Sequence, residues 1–141
     1  MEIIRQPCVS AGPSKLRVRI PVDRLTLAKR RWRGVAEDGR EFGFDLEKPL
    51  PDGAIVFCDG EREYLIAQKY EAVLEVVLVQ DPPAAAKLGW IIGNLHFPLE
   101  VTADSVRVAD DSALRQMFER EGIAYTEYKR VFHPLSGGHR H

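Results

Sequence analysis

What this chain lacks narrows it first. No apolar run in its 141 residues is long enough to span a bilayer. Met1-Glu2-Ile3-Ile4-Arg5 also lacks the basic-then-apolar order of a secretion signal. A cytoplasmic protein without a membrane anchor is expected. Cysteine is scarce: Cys8 and Cys58 stand far apart, with no Cys-x-x-Cys spacing and no thiol-based zinc motif. Two reduced thiols are expected, with Cys58 in the core because it follows Ala54-Ile55-Val56-Phe57. No excess of one charge exists either. Lys and Arg number 20 against 21 Asp and Glu, so nothing draws the chain as a whole to nucleic acid or anionic lipid. His-Glu-x-x-His is absent, and so are internal repeats and low-complexity segments.

What is present is ordinary for a globular domain: 45% hydrophobic and 29% charged residues. The first half reads as β. Leu16, Val18 and Ile20 alternate with Lys15, Arg17 and Arg19, and Phe42, Phe44 and Leu46 alternate with Glu41, Gly43 and Asp45. Asp38-Gly39 and Asp59-Gly60 predict type I′ hairpin turns, and Asp52-Gly53 marks another turn. Several short strands at this spacing suggest a small β-sandwich or barrel.

The pattern changes near residue 70. Residues 72–79 form an apolar run, broken only by Glu75, that predicts a buried strand. Asp81 can cap a helix opened by Pro82-Pro83. Ala84, Ala85, Ala86, Leu88, Ile91 and Ile92 make that helix mostly apolar, and thorough burial is expected. Gly93-Asn94 are expected to end it in the left-handed conformation, with a strand resuming at Leu99. His96 is thus held between a stop and the restart at Pro98. Residues 105–108 predict a strand, and residues 110–121 a helix with Leu114, Met117 and Phe118 on one face and Gly122 at its end. Residues 125–131 predict the last strand. The fold class is α+β. Residues 1–69 form a small all-β domain for partner or peptide binding. Residues 70–132 form a ferredoxin-like βαββαβ domain, and residues 133–141 a flexible histidine-bearing tail. Domains this small bury limited core, which makes self-association useful.

Gly93-Asn94-Leu95-His96-Phe97-Pro98-Leu99 after an alanine-rich helix resembles the core motif of the UreE family of urease accessory proteins, which are nickel metallochaperones. Arg31-Trp32-Arg33-Gly34 with residues 37–43 is similar to the family's N-terminal domain. Leu114-Arg115-Gln116-Met117 and Val131-Phe132 are similar to its C-terminal half, and Gly137-Gly138-His139-Arg140-His141 to its histidine tail. The resemblance implies a non-enzymatic carrier. It implies Ni²⁺ as cargo, delivered toward urease with the accessory GTPase UreG, and a homodimer whose two His96 imidazoles are the central ligands. His139, His141 and His133 are the candidates to complete the shell. Imidazole also accepts Zn²⁺ and Cu²⁺, so either ion could occupy the same site. Two departures stand out. The family's His-x-His at the start of the second helix is Asp110 and Ser112 here, and Asp110 and Asp111 read as an N-cap and a first-turn charge. The usual Asn-Arg-His is Asn-Leu-His, which puts apolar Leu95 beside the expected interface.

Lys29, Arg30, Arg31, Trp32 and Arg33 form the single basic cluster, a candidate docking patch for partner proteins. Two other classes compete with a carrier. An RNA- or ribosome-associated module rests on that cluster alone. An acylphosphatase-like hydrolase needs an anion cradle after the first strand, where Gln80-Asp81-Pro82-Pro83 offers few N–H groups and a negative charge.

Overall fold

A computed structural model of the chain describes residues 1–9, 16–78 and 81–135. It divides into two compact units, Met1–Lys69 and Tyr70–His141. No helix among the described residues is long and apolar enough to cross a membrane.

The first unit carries β1 (Glu2–Ile4), β2 (Leu16–Val22), the one-turn helix α1 (Arg24–Leu27), β3 (Arg31–Val35), β4 (Glu41–Asp45), β5 (Ile55–Asp59) and β6 (Arg62–Gln68). They form two three-stranded sheets, β1-β4-β3 and β2-β6-β5. Each sheet joins one antiparallel hairpin to one parallel strand. The two-residue period decides what faces inward. Val18, Ile20 and Val22 of β2 are buried, while Arg17 and Arg19 face water. Phe42 and Phe44 from one sheet and Ile20, Tyr64 and Ile66 from the other share one core. The sheets approach closely at Gly34, where a Cβ would stand 2.9 Å from both Ile20 and the Trp32 ring.

The hairpins are not type I′ turns. That geometry needs positive φ at both central residues. Among the described non-glycine residues only His96 has it, so Asp38 and Asp59 cannot fill the first position. Gly39 (φ 91) alone turns the first loop, where Ala36 N–H donates to the Arg40 carbonyl. In the second, Asp59 pairs with Arg62 and leaves Gly60-Glu61 as the loop. Asp38 is better used as an acceptor: it takes hydrogen bonds from the Arg40 N–H, the Arg62 guanidinium and the Tyr64 hydroxyl.

The second unit runs β7 (Glu71–Val77), α2 (Pro82–Asn94), β8 (Glu100–Val101), β9 (Ser105–Ala109), α3 (Ser112–Arg120) and β10 (Thr126–Arg130). Its sheet has the order β10-β7-β9-β8, with every pair antiparallel. Leu74 and Val76 of β7 and Val106 and Val108 of β9 meet Leu88 and Ile92 of α2 and Leu114, Met117 and Phe118 of α3 in one core. The alternate residues of the same strands form a charge row: Arg107 bonds Glu75 at 2.7 Å on one side and Glu100 at 3.1 Å on the other.

Helix α2 is less buried than its composition suggests. Only Leu88 and Ile92 are buried, and Trp90 is 69% exposed. One stripe at i and i+4 is all that a single sheet can cover. Ile91 is half-buried against the same core, while Trp90, Ala84 and Ala86 stay exposed.

Candidate metal centre

The centre of the candidate site is the C-terminal end of α2. Asp81 caps the opposite end by accepting the Ala84 N–H at 3.1 Å, and prolines occupy the first turn. The helix then continues through Gly93 and Asn94, which take no left-handed conformation; Leu95 is the cap. The left-handed residue is His96 itself, at φ 64. His96 N–H donates to the Gly93 carbonyl at 3.0 Å and Phe97 N–H to the Ile92 carbonyl at 3.3 Å. These two bonds define a Schellman end, in which the position after the cap is usually glycine. Phe97 is partly buried against the core that holds Ile92, and Pro98 restricts Phe97 to extended backbone. The chain is therefore fixed on both sides of His96, and its side chain is exposed. Gly93-Asn94 do not form the stop; the reversal falls where Phe97 can pack against the core, not where local propensity would put it.

The segment after β10 returns to this place. Leu135 N–H donates to the Leu99 carbonyl at 2.7 Å, and His133 N–H donates to Glu100 Oε1 at 3.1 Å. The other carboxylate oxygen of Glu100 holds Arg107. Thus Glu100, which the sequence marks only as the polar member of an alternating strand, ties the start of the tail to the strand that follows His96. His133 is exposed beside it. His139 and His141 lie outside the described residues. Among the described residues no three His, Cys, Asp or Glu side chains are grouped to hold a metal ion.

Asp110 is otherwise engaged. It is not the cap of α3, which is Asp111, bonded to the Ala113 N–H at 2.8 Å. Both Asp110 oxygens accept from Arg115, at 2.7 and 3.0 Å, and Arg115 also reaches Glu127. That guanidinium holds the Asp110 carboxyl below the usual carboxylate range.

The basic cluster splits. Lys29, Arg30, Arg31 and Arg33 are exposed, but Trp32 is only 8% exposed and stacks on Phe44 with ring centroids 3.9 Å apart. As a docking residue Trp32 is a correction: it is core. The alternation Arg31-Trp32-Arg33 on β3 carries that signal, because neighbours on a strand face opposite ways. Arg31 also pairs with Asp45 at 3.1 Å, which weakens the cluster as an anion site. No stacking platform for RNA bases accompanies it, since the one aromatic within the cluster points inward.

Comparison with known proteins agrees with the sequence motif. Residues 71–141 match the family described as UreE urease accessory protein, C-terminal domain. The chain is 32% identical over 118 residues to the urease accessory protein UreE of Brucella anthropi, covering 79% of this chain and 69% of that one. It is 30% identical over 132 residues to urease accessory protein UreE 1 of Brucella suis biovar 1, covering 86% and 81%. To urease accessory protein UreE of Escherichia coli O157:H7 it is 29% identical over 124 residues, covering 86% and 79%.

Proposed function

Because this chain belongs to the UreE family of urease accessory proteins, which are metallochaperones and not enzymes, we propose that it binds Ni²⁺ and delivers it for assembly of the urease metallocentre. The observation that carries this reading is His96: an exposed imidazole on a left-handed residue, fixed by Ile92 and Phe97. A non-glycine residue in that conformation costs on the order of 1–2 kcal/mol. Such cost is characteristic of functional positions.

One imidazole does not hold a divalent ion tightly. Two chains related by a two-fold axis near His96 supply two. The apolar surface that α2 leaves exposed at Trp90 and Leu95 supports self-association. The tail supplies further ligands. Leu135 is bonded to Leu99, a span of at most about 10 Å of chain from His96. His139 stands at most about 14 Å of chain beyond Leu135. His133, His139 and His141 are therefore within tether distance of the His96 pair. An exposed site with exchangeable tail ligands can accept an ion and give it up, as a carrier must. Imidazole does not select Ni²⁺ over Zn²⁺ or Cu²⁺ by affinity, so those ions enter the same site.

In this reading residues 70–132 are a ferredoxin-like metal-binding and dimerisation domain, supported by the strand order β10-β7-β9-β8 with two crossover helices. Residues 1–69 are the partner domain, presenting Lys29, Arg30, Arg31 and Arg33 to the urease apoprotein complex or to UreG in the cytoplasm. Calorimetric titration of Ni²⁺ into the chain and into His96→Ala tests the site. The expectation is about one tight ion per two chains, lost in the variant while the fold persists. Equal tight binding by both proteins would falsify the His96 site.

A further inference from the structure

Cys8 and Cys58 play no part in the nickel reading, yet their sulfurs lie 3.7 Å apart. Cys8 follows β1 and is exposed, and its N–H donates to the Ile55 carbonyl at 2.8 Å, which seats it against the start of β5. Cys58 is half-buried near the end of β5. Its register partner on β6 is Glu63, which lies opposite Arg17 of β2 and pairs with it at 3.4 Å. Neither thiol is sealed in the way an inert core cysteine is. A disulfide needs about 2.05 Å between sulfurs, so closure asks for a shift of roughly 1.6 Å.

We propose that Cys8 and Cys58 form a redox-modification site that a peroxide converts to an intramolecular disulfide. The Cys8 thiolate attacks one peroxide oxygen, the O–O bond breaks, and water leaves behind a sulfenic acid. The Cys58 sulfur then attacks the Cys8 sulfur, the S–S bond forms, the S–O bond breaks, and a second water leaves. Two electrons pass from the two sulfurs to the peroxide, and both thiol protons end in water. A thiol reductant reverses the change by exchange.

The position gives the bond a mechanical consequence. Arg5, Gln6 and Pro7, just before Cys8, line a 780 Å³ cleft together with Asp45 to Pro51. A Cys8–Cys58 bond fastens that segment to β5 covalently, where the reduced chain has a backbone hydrogen bond. The rate has a predictable sign. Partial burial, the Cys58 thiol and the charge of Glu63 push the Cys8 thiol up to about 11. The thiolate is the reactive form, so oxidation accelerates as pH rises toward that value.

The test uses the full chain, reduced, freed of metal and treated with hydrogen peroxide, beside Cys8→Ser and Cys58→Ser. After unfolding, free thiols are counted, the intact mass is measured and the peptides are mapped. The expected product loses both thiols together, weighs two hydrogens less, links the Cys8 and Cys58 peptides within one chain, and reverts with dithiothreitol. Cys58→Ser is expected to accumulate sulfenic acid at Cys8 with no internal link. A product that gains oxygen in place of losing hydrogen overturns the proposal, as does a link between chains. Nickel binding is expected to be equal in wild type and both serine variants; this separates failure here from failure of the His96 site.

Discussion

The two long helices of the second unit end in the same hydrogen-bonded shape on different residues. At α3, Gly122 (φ 69) donates to Glu119 at 3.2 Å and Ile123 to Phe118 at 2.8 Å, with Ile123 packed on the core. At α2, His96 (φ 64) donates to Gly93 at 3.0 Å and Phe97 to Ile92 at 3.3 Å, with Phe97 packed on the core. Glycine takes that conformation without a steric cost, while histidine does not. The α2 end carries a residue with a steric cost there, and the surrounding packing supplies what the local preference withholds.

The comparison can be broken most severely by removing the packing. Ile92→Ala deletes the buried side chain that anchors the α2 end and should cost about 2–5 kcal/mol in chemical denaturation. Nickel affinity should fall with it even though His96 is retained. His96→Gly separates the two demands on that end. Ni²⁺ affinity should drop by about 100-fold or more, roughly 2.7 kcal/mol. Thermal stability of the unit should rise by about 1 kcal/mol as the strain is relieved. Unchanged or lower stability would show that His96 is not strained. Gly122→His, the reciprocal change, should cost about 1–2 kcal/mol and create no nickel site, because the tail is tied to Leu99 and Glu100 at the other end.

A smaller effect comes from acid. Burial works against the charge on Glu75, but the Ser105 hydroxyl and the Arg107 guanidinium outweigh it and hold the carboxyl below its usual range. The folded state therefore binds this proton less readily than the unfolded chain. Its contribution is whole above the ordinary carboxylate range and is lost as pH falls through the depressed value. Glu75→Gln should flatten the acid limb of the stability curve. Nickel binding should weaken at milder acidity than the fold does, because an imidazolium cannot coordinate.

Much of this architecture is legible in the residues themselves. Leu114, Met117, Phe118 and Gly122 specify α3 and its stop by period and turn chemistry. Asp81-Pro82-Pro83 specify the start of α2, and the Asn94-Leu95-His96 motif points to the family. The Asp-Gly pairs mark where the hairpins turn but not the turn type. Asp38 is held as an acceptor by Arg62 and Tyr64, distant partners that no two-residue motif encodes. The burial of Trp32 is written in the strand alternation, but a basic cluster around an aromatic reads equally well as a surface patch. The exposure of Trp90 is not legible, since composition says a helix is apolar but not how much of it one sheet can cover.

By itself the sequence determined the two long helices, most of the strands and which faces of most of them turn inward, though not β1 or the single turn α1. Those properties follow from neighbours within a few residues. Only the tertiary structure decided that the left-handed position at the end of α2 falls on His96. Only it decided that Leu135 returns to Leu99, and that Cys8 meets Cys58. Each of these depends on packing or pairing between residues distant along the chain, where the entropy of ordering the chain is offset by the whole core and no local pattern carries the information.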